Sequence, residues 1–139
     1  MSERFPVNIQ RLLRNLALVL GGMLLFWLPV EDTSERWVIL FAAAICSLGM
    51  AYWIVSYHSR RQQRPERSEN LIYPLAGAVS GLAVTPAALF LMAFKSGLHG
   101  HSAPDFTSDQ IIRVILGTPI WSGSGLLIGL GVALLRKIK

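Results

Sequence analysis

The chain has 139 residues, 53% of them hydrophobic and 15% charged, with a mean hydropathy of +0.48. A soluble domain carries about 25% charged residues, so this composition excludes ordinary packing in water, where too little polar surface would cover the core. The net charge of +5 does not mark a nucleic-acid partner, because the basic residues fall in separate short segments between long uncharged runs.

Arg4 and Arg11 enclose a short amphipathic lead in which Phe5, Val7 and Ile9 can lie against a membrane. The uncharged run over 15–30 is short for a membrane helix, which needs roughly 20 residues to cross the hydrocarbon. Extending it back to Leu12 lets Arg14 and Asn15 reach the headgroups, giving a first span of approximately 12–30. Basic residues ahead of an apolar stretch also open a signal peptide. Leu28-Pro29-Val30-Glu31-Asp32 lacks the small-residue cleavage site, so the segment is expected to stay as a helix. The turn from Glu31 to Arg36 is too short to fold alone and enforces an antiparallel helix pair. Asp32, with Glu35 three positions on, is expected to cap the second span at 36–57. Trp27 and Trp37 bracket this turn, and Tyr52, Trp53 and Tyr57 gather at the far end, a pattern of interfacial aromatic belts. Cys46 lies inside the second span and, as the only cysteine, forms no intrachain disulfide.

A polar connector over 59–70, interrupted by Pro65, leads to a third span at 71–95. Pro74 stands near its start, and Pro86 inside it predicts a kink, with Thr85 or Ser80 taking up the freed backbone carbonyl. The stretch KSGLHGHSAPDFTSDQ over 95–110 then separates two apolar runs. Thr107 and Gln110 form a T-x-x-Q capping box. A straight helix from Ser108 to Leu135 would measure about 42 Å, well beyond a hydrocarbon core of about 30 Å. Gly117-Thr118-Pro119 offers the break, so a short outer helix from about 108 should precede a fourth span at 114–135 with a kink near Pro119.

Gly77 and Gly81 in the third span, and Gly125 and Gly129 in the fourth, each form a GxxxG pair. Glycines at i and i+4 share one helix face and admit close backbone approach, either between spans three and four or against another subunit. The polar stretch carries the residues most open to a chemical reading. His99, His101 and Asp105 are the candidate metal ligands, but a structural metal site needs about four ligands at tighter spacing. Ser96 or Ser102 with His99 and Asp105 supplies the residue types of a hydrolase without the strand-turn-helix elbow. No metal, cofactor or catalytic residue is expected. The stretch reads as a structured cap: Asp105 or Thr107 caps the helix at Ser108, Gly97 and Gly100 make turns, and His99 or His101 bonds loop carbonyls or a neighbouring subunit.

Ten of the 13 basic residues lie before the first span (Arg4, Arg11, Arg14), between the second and third (Arg60, Arg61, Arg64, Arg67) and after the fourth (Arg136, Lys137, Lys139). Cytoplasmic segments collect Lys and Arg, so both termini are expected in the cytoplasm. No ionisable residue lies centrally in a span. His58 and Lys95 sit at span ends, where they are expected to snorkel, and Ser47, Ser80, Thr85, Thr118, Ser122 and Ser124 are able to bond their own helix carbonyls. Ion-coupled carriers hold an ionisable group at membrane depth, which disfavours that class.

The sequence therefore predicts an all-α integral membrane protein. It has four transmembrane helices in an antiparallel up-down bundle, N-in and C-in, located in the bacterial cytoplasmic membrane. The expected role is a non-catalytic accessory or assembly subunit of a larger membrane complex, an energy-transducing one among the candidates. Its partners would be the lipid bilayer and other membrane-protein subunits. The alternative is a small homo-oligomeric channel or transporter with a hydroxyl-lined path.

Overall fold

The computed structural model describes residues 7–60, 69–100 and 105–138, and all regular structure in them is helical. The helices are α1 (Val7–Trp27), α2 (Glu35–Arg60), α3 (Glu69–His99), α4 (Ser108–Leu116) and α5 (Thr118–Ile138). Four segments are long and apolar enough to cross a membrane: Ile9–Trp27, Glu35–Ser59, Leu71–His99, and Ser108–Arg136, which joins α4 to α5. The start of the amphipathic lead and the connector around Pro65 lie outside the described residues.

Local chemistry explains where the helices stop. α1 ends at Trp27 because Pro29 lacks an amide donor and disfavours the helical conformation at Leu28. The chain leaves through two turn hydrogen bonds, Leu28 N to Leu24 O at 2.9 Å and Val30 N to Trp27 O at 3.1 Å. Ahead of α2, Asp32 Oδ1 accepts from Ser34 N at 2.8 Å. This is an Asx turn, not the capping pair expected with Glu35. α3 has 31 residues and carries Pro74 and Pro86 in its interior. It terminates at Gly100, whose φ of +61° is the left-handed conformation that closes a helix and that glycine adopts without a Cβ clash. Gly97, expected in a turn, is instead inside α3. The chain breaks between α4 and α5 at Gly117, where Thr118 and Pro119 begin the next helix.

α3 lies between α2 and α5, and α1 packs on the other side of α2. Contacting residues run in opposite directions along each pair: Gly77 meets Gly125, Gly81 meets Trp121 and Thr85 meets Thr118. His58 of α2 meets Tyr73 of α3 through a 2.6 Å bond between Nε2 and the phenol, and Trp27 of α1 meets Phe41 of α2. The up-down order is thus laid out as an open row of antiparallel helices. Among the described residues the backbone of α1 approaches neither α5 nor α3.

Burial is uneven along the row. Trp27, Leu28, Val38, Phe41, Leu91, Met92, Phe106 and Val114 join in one core at the end carrying the 28–34 and 105–107 segments, here the loop end. At the opposite, basic end α1 has almost nothing packed on it, and its apolar window contains no buried residue, against 39% of the α3 window. Hydroxyls also join elements. Thr118 Oγ1 donates to Ile115 O at 2.6 Å, which uses its single proton, so Thr85 must donate in the 2.8 Å bond between the two hydroxyls. Thr85 therefore links α3 to the α4–α5 junction and is not spent on the carbonyl freed by Pro86.

Candidate functional site: a polar clasp at the loop end

The loop end collects the charged side chains that the spans exclude. Lys95 is at its centre. Its residue is fully buried, at 0% exposure, which differs from the snorkelling expected of a lysine near a span end. The ammonium donates to Val30 O at 2.8 Å, lies 3.5 Å from Trp27 O, and sits 3.7 Å from the centre of the Trp27 ring. Three N–H groups thus face two carbonyls and one π face. Those carbonyls are at and just beyond the C-terminus of α1, where helix carbonyls lack partners within the helix and the helix dipole favours a cation. Asp32 and Asp105 are its charged neighbours. Burying a lone ammonium costs several kcal/mol even after relaxation, and this shell of acceptors offsets it. The arrangement makes a residue of α3 the cap of α1.

α4 closes the clasp from above. Thr107 is its N-cap: its hydroxyl accepts from Gln110 N at 3.4 Å, and Gln110 Oε1 accepts from Thr107 N at 2.8 Å. Gln110 then reaches across the chain, its Nε2 donating to Thr33 O at 2.9 Å. One turn later Arg113 grips Glu35 in bidentate fashion, with Nε to Oε1 and Nη2 to Oε2 both at 2.9 Å. The other face of α4 is apolar, and Val114 at 1% exposure packs with Phe106 at 2% in the core below. α4 is therefore held by polar bonds to the α1–α2 turn and by burial against α2 and α3.

The third part of the clasp joins α3 to the chain before α4. His99 Nδ1 donates to Asp105 Oδ2 at 2.7 Å, and Asp105 N donates to Ser96 Oγ at 3.3 Å. Of the three candidate metal ligands, His99 and Asp105 come together while His101 lies outside the described residues. Among the described residues no group of three or more His, Cys, Asp or Glu is placed to hold a metal ion. Capping falls to Thr107, and Asp105 is taken by His99 instead. The indole Nε1 of Trp27 is buried with no hydrogen-bond partner among the described residues. The ring serves as the floor under Lys95.

The four candidate glycines lie elsewhere, in the contact between α3 and α5. A Cβ added at Gly77 would strike the Gly125 carbonyl, and one at Gly125 would strike the Gly77 carbonyl. At Gly81 it would meet the Trp121 carbonyl with Ser122 Cα at 2.8 Å, and at Gly129 the Tyr73 carbonyl with Pro74 Cα at 2.8 Å. These faces are filled within the chain. Sequence reasoning found the glycines but missed Lys95, Glu35 and Arg113. The one signal available was that Lys95, Arg36 and Arg113 are the only cations outside the basic segments, which invites a search for partners among Asp32, Glu35 and Asp105.

Three cavities accompany these contacts. A groove of about 750 Å³ separates α1 from α2 toward the basic end. A second, about 330 Å³, lies where α2, α3 and α5 meet beside the glycine contact, and a third, about 180 Å³, lies under Phe106. The clasp itself encloses charges against acceptors and against one another, an arrangement suited to fixing the relation of four segments. Comparison of the chain with family models, with curated proteins and with solved structures finds no match.

Proposed function

We propose that the protein is a non-catalytic accessory or assembly subunit of a larger complex in the bacterial cytoplasmic membrane. An energy-transducing complex is one candidate context, and unlike membrane subunits are its partners. Both termini and the 60–67 segment face the cytoplasm, and the clasp faces the opposite side, following the distribution of Lys and Arg.

The observation that carries the reading is the division of labour between the two ends of α1. At the loop end α1 is capped by Lys95 and packed through Trp27 and Leu28. Along its apolar window it has no buried residue in its own chain. Membrane helices associate through close packing and interhelical hydrogen bonds, and a span packed on α2 alone, with much of its apolar surface exposed, suits contact with another subunit. The ionisable groups of the clasp, meanwhile, are engaged in joining elements.

Purification from native membranes in a mild detergent tests this. The expected result is recovery of the chain in a stable, stoichiometric complex with unlike subunits. Recovery as a lone homo-oligomer that passes solute in liposomes would overturn the proposal in favour of a small channel or transporter.

A further inference from the structure

We propose that the groove between α1 and α2 is a binding site for an anionic phospholipid, whose phosphate is held by Arg11 and Arg14 and whose acyl chain runs between the helices. This goes beyond the accessory role and does not depend on it.

The groove, about 750 Å³, is lined at one end by Arg11, Arg14 and Tyr52 and deeper in by Ala17, Gly21 and Gly49. Its size falls within the roughly 300–1,000 Å³ typical of small-molecule sites. The gradient in its lining matches an amphiphile. Arg14 and Gly21 are seven residues apart on α1, which places the glycine about 10 Å deeper along the axis. That depth takes the groove from the headgroup layer well into the hydrocarbon. At Gly21 and at Gly49 nothing lies within 4 Å of where a Cβ would stand, so the two helices leave a smooth slot between them. This contrasts with the glycines of α3 and α5, whose open sides are filled by backbone.

Charge selects the headgroup. Among the described residues no carboxylate lines the groove, and neither Arg11 nor Arg14 has an ion-pair partner there. Guanidinium groups bind phosphate oxygens through paired, charge-assisted hydrogen bonds. A zwitterionic lipid would bring its own cation into a site that already holds two, so an anionic headgroup such as phosphatidylglycerol fits better.

Native mass spectrometry of the full chain in nonionic detergent, titrated with phosphatidylglycerol or with phosphatidylcholine of the same acyl chains, tests the site. Retention of phosphatidylglycerol at lower lipid concentration than phosphatidylcholine is expected. Arg11→Gln with Arg14→Gln should weaken phosphatidylglycerol binding roughly 30-fold, since each basic residue near a headgroup contributes about a factor of five. Gly21→Leu with Gly49→Leu keeps both charges and fills the slot, so it should reduce binding of either lipid without lowering the thermal midpoint. Undiminished phosphatidylglycerol binding in either double variant would overturn the proposal, the glycine case by reducing the arginines to general attraction for an anionic surface. Equal retention of the two lipids, or a crosslink from the groove to a polypeptide of a partner subunit, would overturn it as well.

Discussion

Lys95 carries more of the loop end than any other single side chain. Replacing it by methionine keeps most of the stem packed on Trp27 but leaves the Val30 carbonyl without its donor, while the Trp27 carbonyl keeps only the Val30 amide. Removing one partner of a charged hydrogen bond while the other stays buried costs more than the bond's net worth. Lys95→Met should therefore lower stability by about 2 kcal/mol, read as thermal unfolding in detergent, and loosen the 28–34 turn in hydrogen exchange. An unchanged midpoint would show that the ammonium contributes no net stabilisation. Thr107 makes a smaller, more local contribution. Thr107→Ala removes one side of the capping box, and losing such a cap costs about 1 kcal/mol. Faster exchange should be confined to the start of α4 with the remaining helices unaffected, because Gln110 and Arg113 still tie α4 to Thr33 and Glu35. These residues also mark how far sequence reasoning reaches. The capping box was legible because Thr107 and Gln110 are three apart and their geometry is set within one turn. Lys95 was not, because its burial depends on Trp27, Val30 and Asp105, which only the fold brings to it.

Among the helices, the contact between α3 and α5 depends on what each glycine faces, and that gives opposite predictions for one residue type in one helix. Gly125→Ala places a methyl against the Gly77 carbonyl, with its carbon 2.9 Å away. Backbone cannot swing aside as a side chain can, and overpacking of this kind costs about 1–3 kcal/mol. Gly131→Ala, also in α5, meets nothing within 4 Å, and alanine is favoured over glycine in a helix by about 1 kcal/mol. Thermal unfolding should show the first variant destabilised and the second neutral or stabilised. Larger insertions widen the gap: Gly81→Leu and Gly125→Leu should disrupt native size on gel filtration more than Leu89→Ala, which removes only a partly buried side chain. A tolerant Gly125→Leu would mean that α3 and α5 do not approach closely in the membrane. Spacing alone made the GxxxG faces visible, because i and i+4 share a helix face whatever the fold. It left open whether another subunit or the same chain would fill them. The split at Gly117 was legible in the same way, since a helix of about 42 Å exceeds the bilayer. The length of α3 was not, because its last turns belong to the clasp, where Lys95 and His99 find their partners.

Taken whole, the molecule is a row of antiparallel helices fastened at one end. Its loop end has a core, a buried cation and three sets of polar bonds between segments. At its basic end α1 and α2 part around a groove bordered by Arg11 and Arg14. The number of long apolar helices was readable from uncharged runs, because exclusion of charge is imposed by the bilayer and does not depend on which helix touches which. The open layout was not readable, since lipid-facing and protein-facing surfaces are both apolar and periodicity separates them poorly. The proposed orientation rests on the asymmetry of charge, by which the clasp and the termini would lie on opposite sides of the membrane. Single-cysteine labelling on a Cys46→Ala background tests that orientation directly, with a membrane-impermeant maleimide applied to intact cells. Ser102→Cys should be labelled from outside, and Arg64→Cys only after the membrane is opened. Labelling of Arg64→Cys in intact cells, with Ser102→Cys protected until permeabilisation, would invert the protein and contradict the placement of the clasp.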